Sequence, residues 1–292
     1  MLFPLYVLNP RLRWPVVTIL LIVINVAITG WTTSLGEPDT SILAAKHGFV
    51  PARLTHLGQP QPINVPVQPI NIFGWRGIQQ VQPVSTNPRD VYLTFFTAMF
   101  LHGSWLHLLM NMWMLWLFGA NIEDRLGSGV YLMFYALGGI LATLAFWLSD
   151  PNGHLPMIGA SGAIAAVLGA YAVTFPTTKV RTLVFFIFIL IIDLPALVLL
   201  GIWFLLQVAS GMLGLWGMAM EPVAFWAHIG GFVAGMILMP LLSFGSSPPG
   251  RDWRKEAHEL FQFNDPRFGD QLSNDRRFDD RIRRGGDAEK GR

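Results

Sequence analysis

Residues 130–148 read Val-Tyr-Leu-Met-Phe-Tyr-Ala-Leu-Gly-Gly-Ile-Leu-Ala-Thr-Leu-Ala-Phe-Trp-Leu, nineteen positions without a charge. A helix of that length rises about 28 Å, the thickness of a bilayer's hydrocarbon core. Other apolar runs of crossing length lie at 14–31, 92–121, 159–175, 194–213 and 223–242. The run 183–213 is too long for one crossing and is broken by Asp193-Leu194-Pro195, so 183–192 reads as a short interfacial or partly buried piece. The pattern predicts an all-α membrane protein with six transmembrane helices over residues 14–242.

Composition agrees. Of 292 residues, 52% are hydrophobic and only 13% charged, where a soluble domain carries about a quarter. Residues 251–292 hold 11 of the 20 Lys and Arg and 10 of the 18 Asp and Glu, so the rest of the chain has too few charges to cover a surface in water. The segment 243–292 is expected to be a charged, disordered cytoplasmic tail. Its charges alternate in sign (Asp275-Arg276-Arg277-Phe278-Asp279-Asp280-Arg281) and the net charge is only +2, which argues against nucleic acid as a partner. Cys is absent, which excludes thiolate metal sites and a Cys nucleophile.

Arg11 and Arg13 precede the first run and assign residues 1–13 to the cytoplasm; Arg125, Lys179 and Arg181 fall on the same side. The first run ends in Thr29-Gly30-Trp31-Thr32, without a small-x-small cleavage site, and reads as an anchor rather than a signal peptide. Residues 32–91 form a long polar outer loop with eight prolines and no sustained helical period. The expected location is the plasma membrane of a bacterium, with both termini cytoplasmic.

Polar groups inside apolar crossings are functional candidates by default. Here they are His102, His107, Asn111, Ser161 and His228, with Asp193 at a break. Ser161 lies in Gly159-Ala160-Ser161-Gly162, with small residues behind it at Ala165, Gly169 and Ala172. Such a face serves helix packing without any chemistry. A position at a helix N-terminus between glycines also opens the backbone to approach and aims free N–H groups at an oxyanion. His228, in Ala227-His228-Ile229-Gly230-Gly231 with Gly235 beyond, is either a hydrogen-bonded packing residue or a base.

The direction of the crossings puts Ser161 and His228 at similar depth, where an imidazole can take the serine proton. His107 and Asn111 are spaced i, i+4 on one face and could donate to an oxyanion beside the Ser161 N–H. A metal centre built from His102, His107 and His228 finds no HExxH and no carboxylate partner, and no cofactor is expected. An aspartic mechanism lacks a second Asp, and a Ser–Lys dyad lacks an intramembrane Lys.

His102-Gly-Ser-Trp-Leu-His107-Leu-Leu-Met-Asn111 resembles the HxxxxHxxxN segment of the rhomboid intramembrane serine proteases. Glu123-Asp124-Arg125-Leu126-Gly127-Ser128-Gly129 is similar to that family's loop after the second helix, Gly159-Ala160-Ser161-Gly162 to its GxSG, and Ala227-His228-xx-Gly231-xxx-Gly235 to its last-helix histidine motif. The resemblance covers about 92–242. It implies a rhomboid-like six-helix bundle, with Ser161 as nucleophile, His228 as general base, and Asn111, His107 and the Ser161 N–H as oxyanion hole. Gly159, Gly162, His102, Gly231 and Gly235 would shape the site, and Glu123 and Arg125 would be structural. Substrates would be single-span membrane proteins cut near the outer face, with crossing five and the 214–222 loop as gate and lid.

Ala165 stands where the family often has an aromatic that stacks on the histidine, so another residue must orient His228, with Trp226 and Phe225 as candidates. Trp75-Arg76 is similar to a Trp-Arg pair in the family's outer loop, at a greater distance from His102. The alternative is a catalytically silent relative that binds transmembrane helices. A transporter would show inverted repeats, and none is visible.

Overall fold

The computed structural model describes residues 2–9, 13–37, 39–67, 80–185, 189–215 and 224–243. All lie in one compact unit, residues 1–247. Arg11, the pair Trp75-Arg76, most of the 214–222 loop and the charged tail after Ser243 fall outside the described residues.

The chain opens with strand β1 (Leu2–Val7) and helix α1 (Val16–Leu35). Over its described residues 39–67 and 80–91, the segment expected to be a polar loop is folded. It holds helices α2 (Asp39–His47) and α3 (Pro51–Thr55) and the antiparallel pair β2 (Ile63–Val67) and β3 (Gln80–Val84). Ala45, Val50, Ala52, Val65, Val67 and Val84 give it a core of its own. Buried Arg53 ties it together by donating to the carbonyls of Ser85 (2.8 Å) and Lys46 (2.9 Å). Pro51 and Pro88 begin helices here, and Pro66 and Pro83 sit inside the paired strands.

Helix α4 (Pro88–Thr97) runs into a 3₁₀ turn, Ala98–Phe100. The expected crossing 92–121 is not one straight helix: the axis bends by 82° before α5 (Trp105–Met114). The break has a local cause. Leu101 takes an extended conformation, and Ser104, also extended, caps α5 by accepting from the His107 N–H at 3.1 Å. A π-helical turn, Leu115–Gly119, then leads into α6 (Ala120–Leu126).

Next come α7 (Ser128–Ser149) and the 14-residue α8 (Ser161–Thr174). Strands β4 (Lys179–Phe185) and β5 (Ile189–Pro195) follow, then α9 (Ala196–Leu215) and α10 (Phe225–Ser243). α1, α7, α9 and α10 are each long and apolar enough to cross a membrane, and the bent pair 88–126 raises the candidates to five. The molecule is mostly helical but not all-α. β1, β4 and β5 form an antiparallel sheet in the order β1-β4-β5.

The expected interfacial piece 183–192 instead contributes the end of β4 (residues 183–185) and the start of β5 (residues 189–192). Its β-branched residues (Ile189, Ile191, Ile192) suit a pleated surface. Asp193 lies directly across from Arg181, which donates to it through Nε (3.0 Å) and Nη2 (3.3 Å). That donated hydrogen bond holds the Asp193 carboxyl below its ordinary range. The pair is exposed, so it fixes register more than it stabilises. On the other side of the sheet, β1 is held to α5 by Trp113, whose Nε1–H donates to the Pro4 carbonyl at 2.8 Å and whose indole stacks on Phe3.

α8 is the centre of the bundle: every residue from Ala163 to Ala172 is buried. Its neighbours approach through small residues. A Cβ at Gly231 or Gly235 of α10 would strike the carbonyls of Gly162 and Ala166, and one at Gly138 of α7 would strike Ala166. The α8–α10 contact is backbone against backbone, and α7 meets the Ala166 methyl.

Glu123 anchors the start of α1. Its buried carboxylate accepts from the N–H groups of Val17 (2.9 Å) and Thr18 (2.8 Å), the Thr18 hydroxyl (2.8 Å) and the Ser128 hydroxyl (2.7 Å). Those N–H groups have no partner within the helix, and the helix dipole favours an anion at this end. Glu123→Ala is expected to destabilise the fold by roughly 3 kcal/mol, the scale of lost buried charge-assisted hydrogen bonds, and Glu123→Gln by less. Tryptophan-fluorescence melting in detergent measures both.

Candidate active site

Ser161 is the first residue of α8, and the loop before it is set by Gly159. Gly159 has φ 121°, a conformation that L side chains rarely adopt, and its N–H donates to the Ala98 carbonyl at 2.9 Å. The His107 ring from α5 lies against it. A Cβ at Gly159 would come within 2.9 Å of His107 Cε1 and 3.7 Å of Ser161 Oγ, so these two side chains meet across a bare glycine. His102, in the bend before α5, is buried and packs edge-on to His107, with ring centroids 5.1 Å apart.

The helices α8 and α10 bring Ser161 and His228 together: Ser161 Oγ lies 2.8 Å from His228 Nε2. The close backbone contact at Gly162, Gly231 and Gly235 is what permits this approach. Asn111 is one turn along α5 from His107. It is buried, faces the same cavity, and its amide Nδ2 has no hydrogen-bond partner among the described residues. A buried donor left free beside a serine is available to whatever occupies the cavity. Glu123 and Arg125 sit on α6 away from this group, Glu123 in its capping role.

The cavity holds about 660 Å³. Its polar end is formed by His107, Asn111, Ser161, Gln207 and His228; from there an apolar slot between α5, α8 and α9 runs to Leu2–Pro4 of β1. Among the described residues no three His, Asp or Glu side chains gather into a group able to hold a metal ion.

Among the described residues, the His228 ring meets two side chains other than the aromatics offered by the sequence. Its Nδ1 lies 2.9 Å from Gln207 Oε1, and the Trp203 ring sits 6.1 Å away at 38°. Both belong to α9. The sequence carried a signal for Gln207, the sole amide side chain in the run 194–213. A side-chain amide within an apolar crossing merits the same suspicion as a histidine.

An apolar helical bundle around a slot with a serine–imidazole pair at its polar end defines an integral membrane protein with a built internal site. The chain belongs to the Rhomboid family: the family's Rhomboid domain matches residues 89–244. It is 29% identical over 190 residues to Rhomboid-like protein 11, chloroplastic, of Arabidopsis thaliana, covering 64% of this chain and 65% of that one. It is 28% identical over 172 residues to Rhomboid protein 1, mitochondrial, of Saccharomyces cerevisiae (56% and 45%). A shorter match, 39% over 74 residues, links it to Rhomboid protease GluP of Bacillus subtilis (25% and 14%). The matches thus span 65% or less of these relatives' own lengths. Because the longer matches are to organelle proteins, the expectation of a bacterial plasma membrane is not supported beyond an integral membrane location.

Proposed function

We propose that the protein is an intramembrane serine endopeptidase that cuts single-span membrane proteins with a Ser161–His228 dyad. The observation that carries this reading is the 2.8 Å contact between Ser161 Oγ and His228 Nε2 at the polar end of an otherwise apolar slot. In the reaction, Ser161 Oγ attacks the scissile carbonyl carbon while its proton passes to His228 Nε2. The carbonyl oxygen gains the negative charge, within reach of the Asn111 amide, His107 and the free Ser161 N–H at the start of α8. The C–N bond breaks as His228 returns the proton to the leaving amine. Water then attacks the ester, giving a proton to His228, which restores it to Ser161 Oγ as the acid departs.

Six crossings fit this use. They are α1, the 105–126 stretch, α7, α8, α9 and α10. At 14 residues, α8 rises about 21 Å, some 9 Å short of the hydrocarbon thickness. Its N-terminus therefore lies below the outer surface, and the cavity makes up the difference for water to reach Ser161. Arg13, Arg125, Lys179 and Arg181 share the opposite side, which is the cytoplasmic one by the positive-inside rule. The slot between α5 and α9 offers an apolar lining to a substrate segment arriving from lipid.

A serine-directed fluorophosphonate tests the assignment. Wild type in detergent is expected to label, and Ser161→Ala is not. If neither labels and a single-span reporter survives wild type, the protein is a silent binder of transmembrane helices. Asn111→Ala is expected to lower kcat by about 10²-fold with folding intact, the usual result of losing one oxyanion donor.

A further inference from the structure

The dyad's imidazole has a second partner that the reaction above does not use. Gln207 Oε1 lies 2.9 Å from His228 Nδ1, and Trp203, four residues earlier on α9, presents its ring to the same imidazole. Residues at i and i+4 share one helix face, so a single face of α9 supplies both contacts. We infer that Gln207 is the positioning residue of the dyad, fixing the tautomer and orientation of His228; the inference rests on the serine-protease reading.

The argument is one of donors and acceptors. A neutral imidazole carries one N–H. A carboxamide oxygen only accepts, so the contact requires the proton on Nδ1. Nε2 then bears the lone pair, and the Ser161 hydroxyl donates to it, which is the direction its proton must travel. With the amide group turned the other way, Nδ1 would have to accept, Nε2 would carry the proton, and the serine could not be deprotonated.

Soluble serine hydrolases commonly use a carboxylate for this task. A neutral amide does the same orienting work at a far smaller desolvation penalty in lipid. It also fills the place left by Ala165, which has no ring to hold the imidazole. Among the described residues lining the cavity, His107 from α5 and His228 are the only titratable groups; α8 and α9 contribute none.

The test uses the full chain in detergent with a single-span reporter. Gln207→Met, similar in length but without an acceptor oxygen, is expected to lower kcat about 30-fold at unchanged KM, on the scale of one lost hydrogen bond to a charged intermediate. Its rate of fluorophosphonate labelling should fall by a similar factor. Gln207→Glu is expected to recover most of the activity, with the acid limb of its kcat–pH profile moved to higher pH, because a carboxylate favours imidazolium.

A mere packing role would leave kcat unchanged in Gln207→Met, which keeps the length and bulk of the side chain but not its acceptor. Wild-type kcat in Gln207→Met, or an unmoved limb in Gln207→Glu, overturns the inference; should the Met variant not fold, the Glu profile decides alone. Ser161→Ala run in parallel separates the two readings. If it is inert while Gln207→Met is fully active, only the positioning role fails; if it still cleaves, the dyad reading fails as well.

Discussion

Ser161→Ala and His228→Ala are each expected to lower kcat for a single-span substrate by at least about 10³-fold, and the double variant by no more than the worse single one. The reason is that the two side chains act as one unit through their 2.8 Å contact. Without the hydroxyl the imidazole has nothing to deprotonate; without the imidazole the hydroxyl keeps its proton. What residual rate remains comes from the oxyanion donors and from binding, which both variants retain. KM should therefore change little. Additive losses, or cleavage at wild-type rate in either variant, would contradict the dyad. Gel-based turnover with saturating substrate measures all three.

The next largest effect is expected at a residue that touches no substrate. In Gly235→Leu the side chain would have to occupy the space of the Ala166 backbone carbonyl. Backbone cannot rotate away as a side chain can, so α10 must move off α8. Ser161 and His228 ride on these two helices, and a displacement near 1 Å can by itself lose about 10²-fold in rate. Gly235→Leu should show that loss together with a lower melting midpoint. Gly201 is the control: nothing lies within 4 Å of the Cβ it would gain. Gly201→Ala removes a flexible residue from a helix interior and is expected to leave activity unchanged and stability equal or slightly higher. A Gly235→Leu protein with wild-type turnover would mean that the α8–α10 contact is not what holds the site.

Much of this was readable in the chain, for identifiable reasons. Apolar length announces a crossing, so α1, α7, α9 and α10 were each placed to within a few residues. Polar atoms in lipid stand out, and Ser161, His228, His107 and Asn111 do gather at one cavity. The failures share a cause. Residues 183–192 are apolar and rich in β-branched side chains, a composition that a strand and a buried helix share, and only the pairing of β4 with β1 and β5 decides between them.

The 92–121 run is apolar throughout, and its 82° bend depends on the backbone of Leu101 and Ser104, which hydropathy does not register. Gln207 is not among the sequence candidates, although its amide is as polar as that of Asn111, which is. Its role depends on which helix faces His228, and no spacing within α9 reveals that.

The sheet that joins β1 to β4 sets an order on biogenesis. Leu2 finds its partner at Val184, so β1 must wait while the eight helices α1 through α8 are translated. Long-range pairing of this kind is slow to close, and its unpaired edge is exposed meanwhile. Because Leu2, Phe3 and Pro4 also line the inner end of the slot, a nascent chain halted before residue 179 would leave that end unsealed. The slot gains its full lining only late in synthesis.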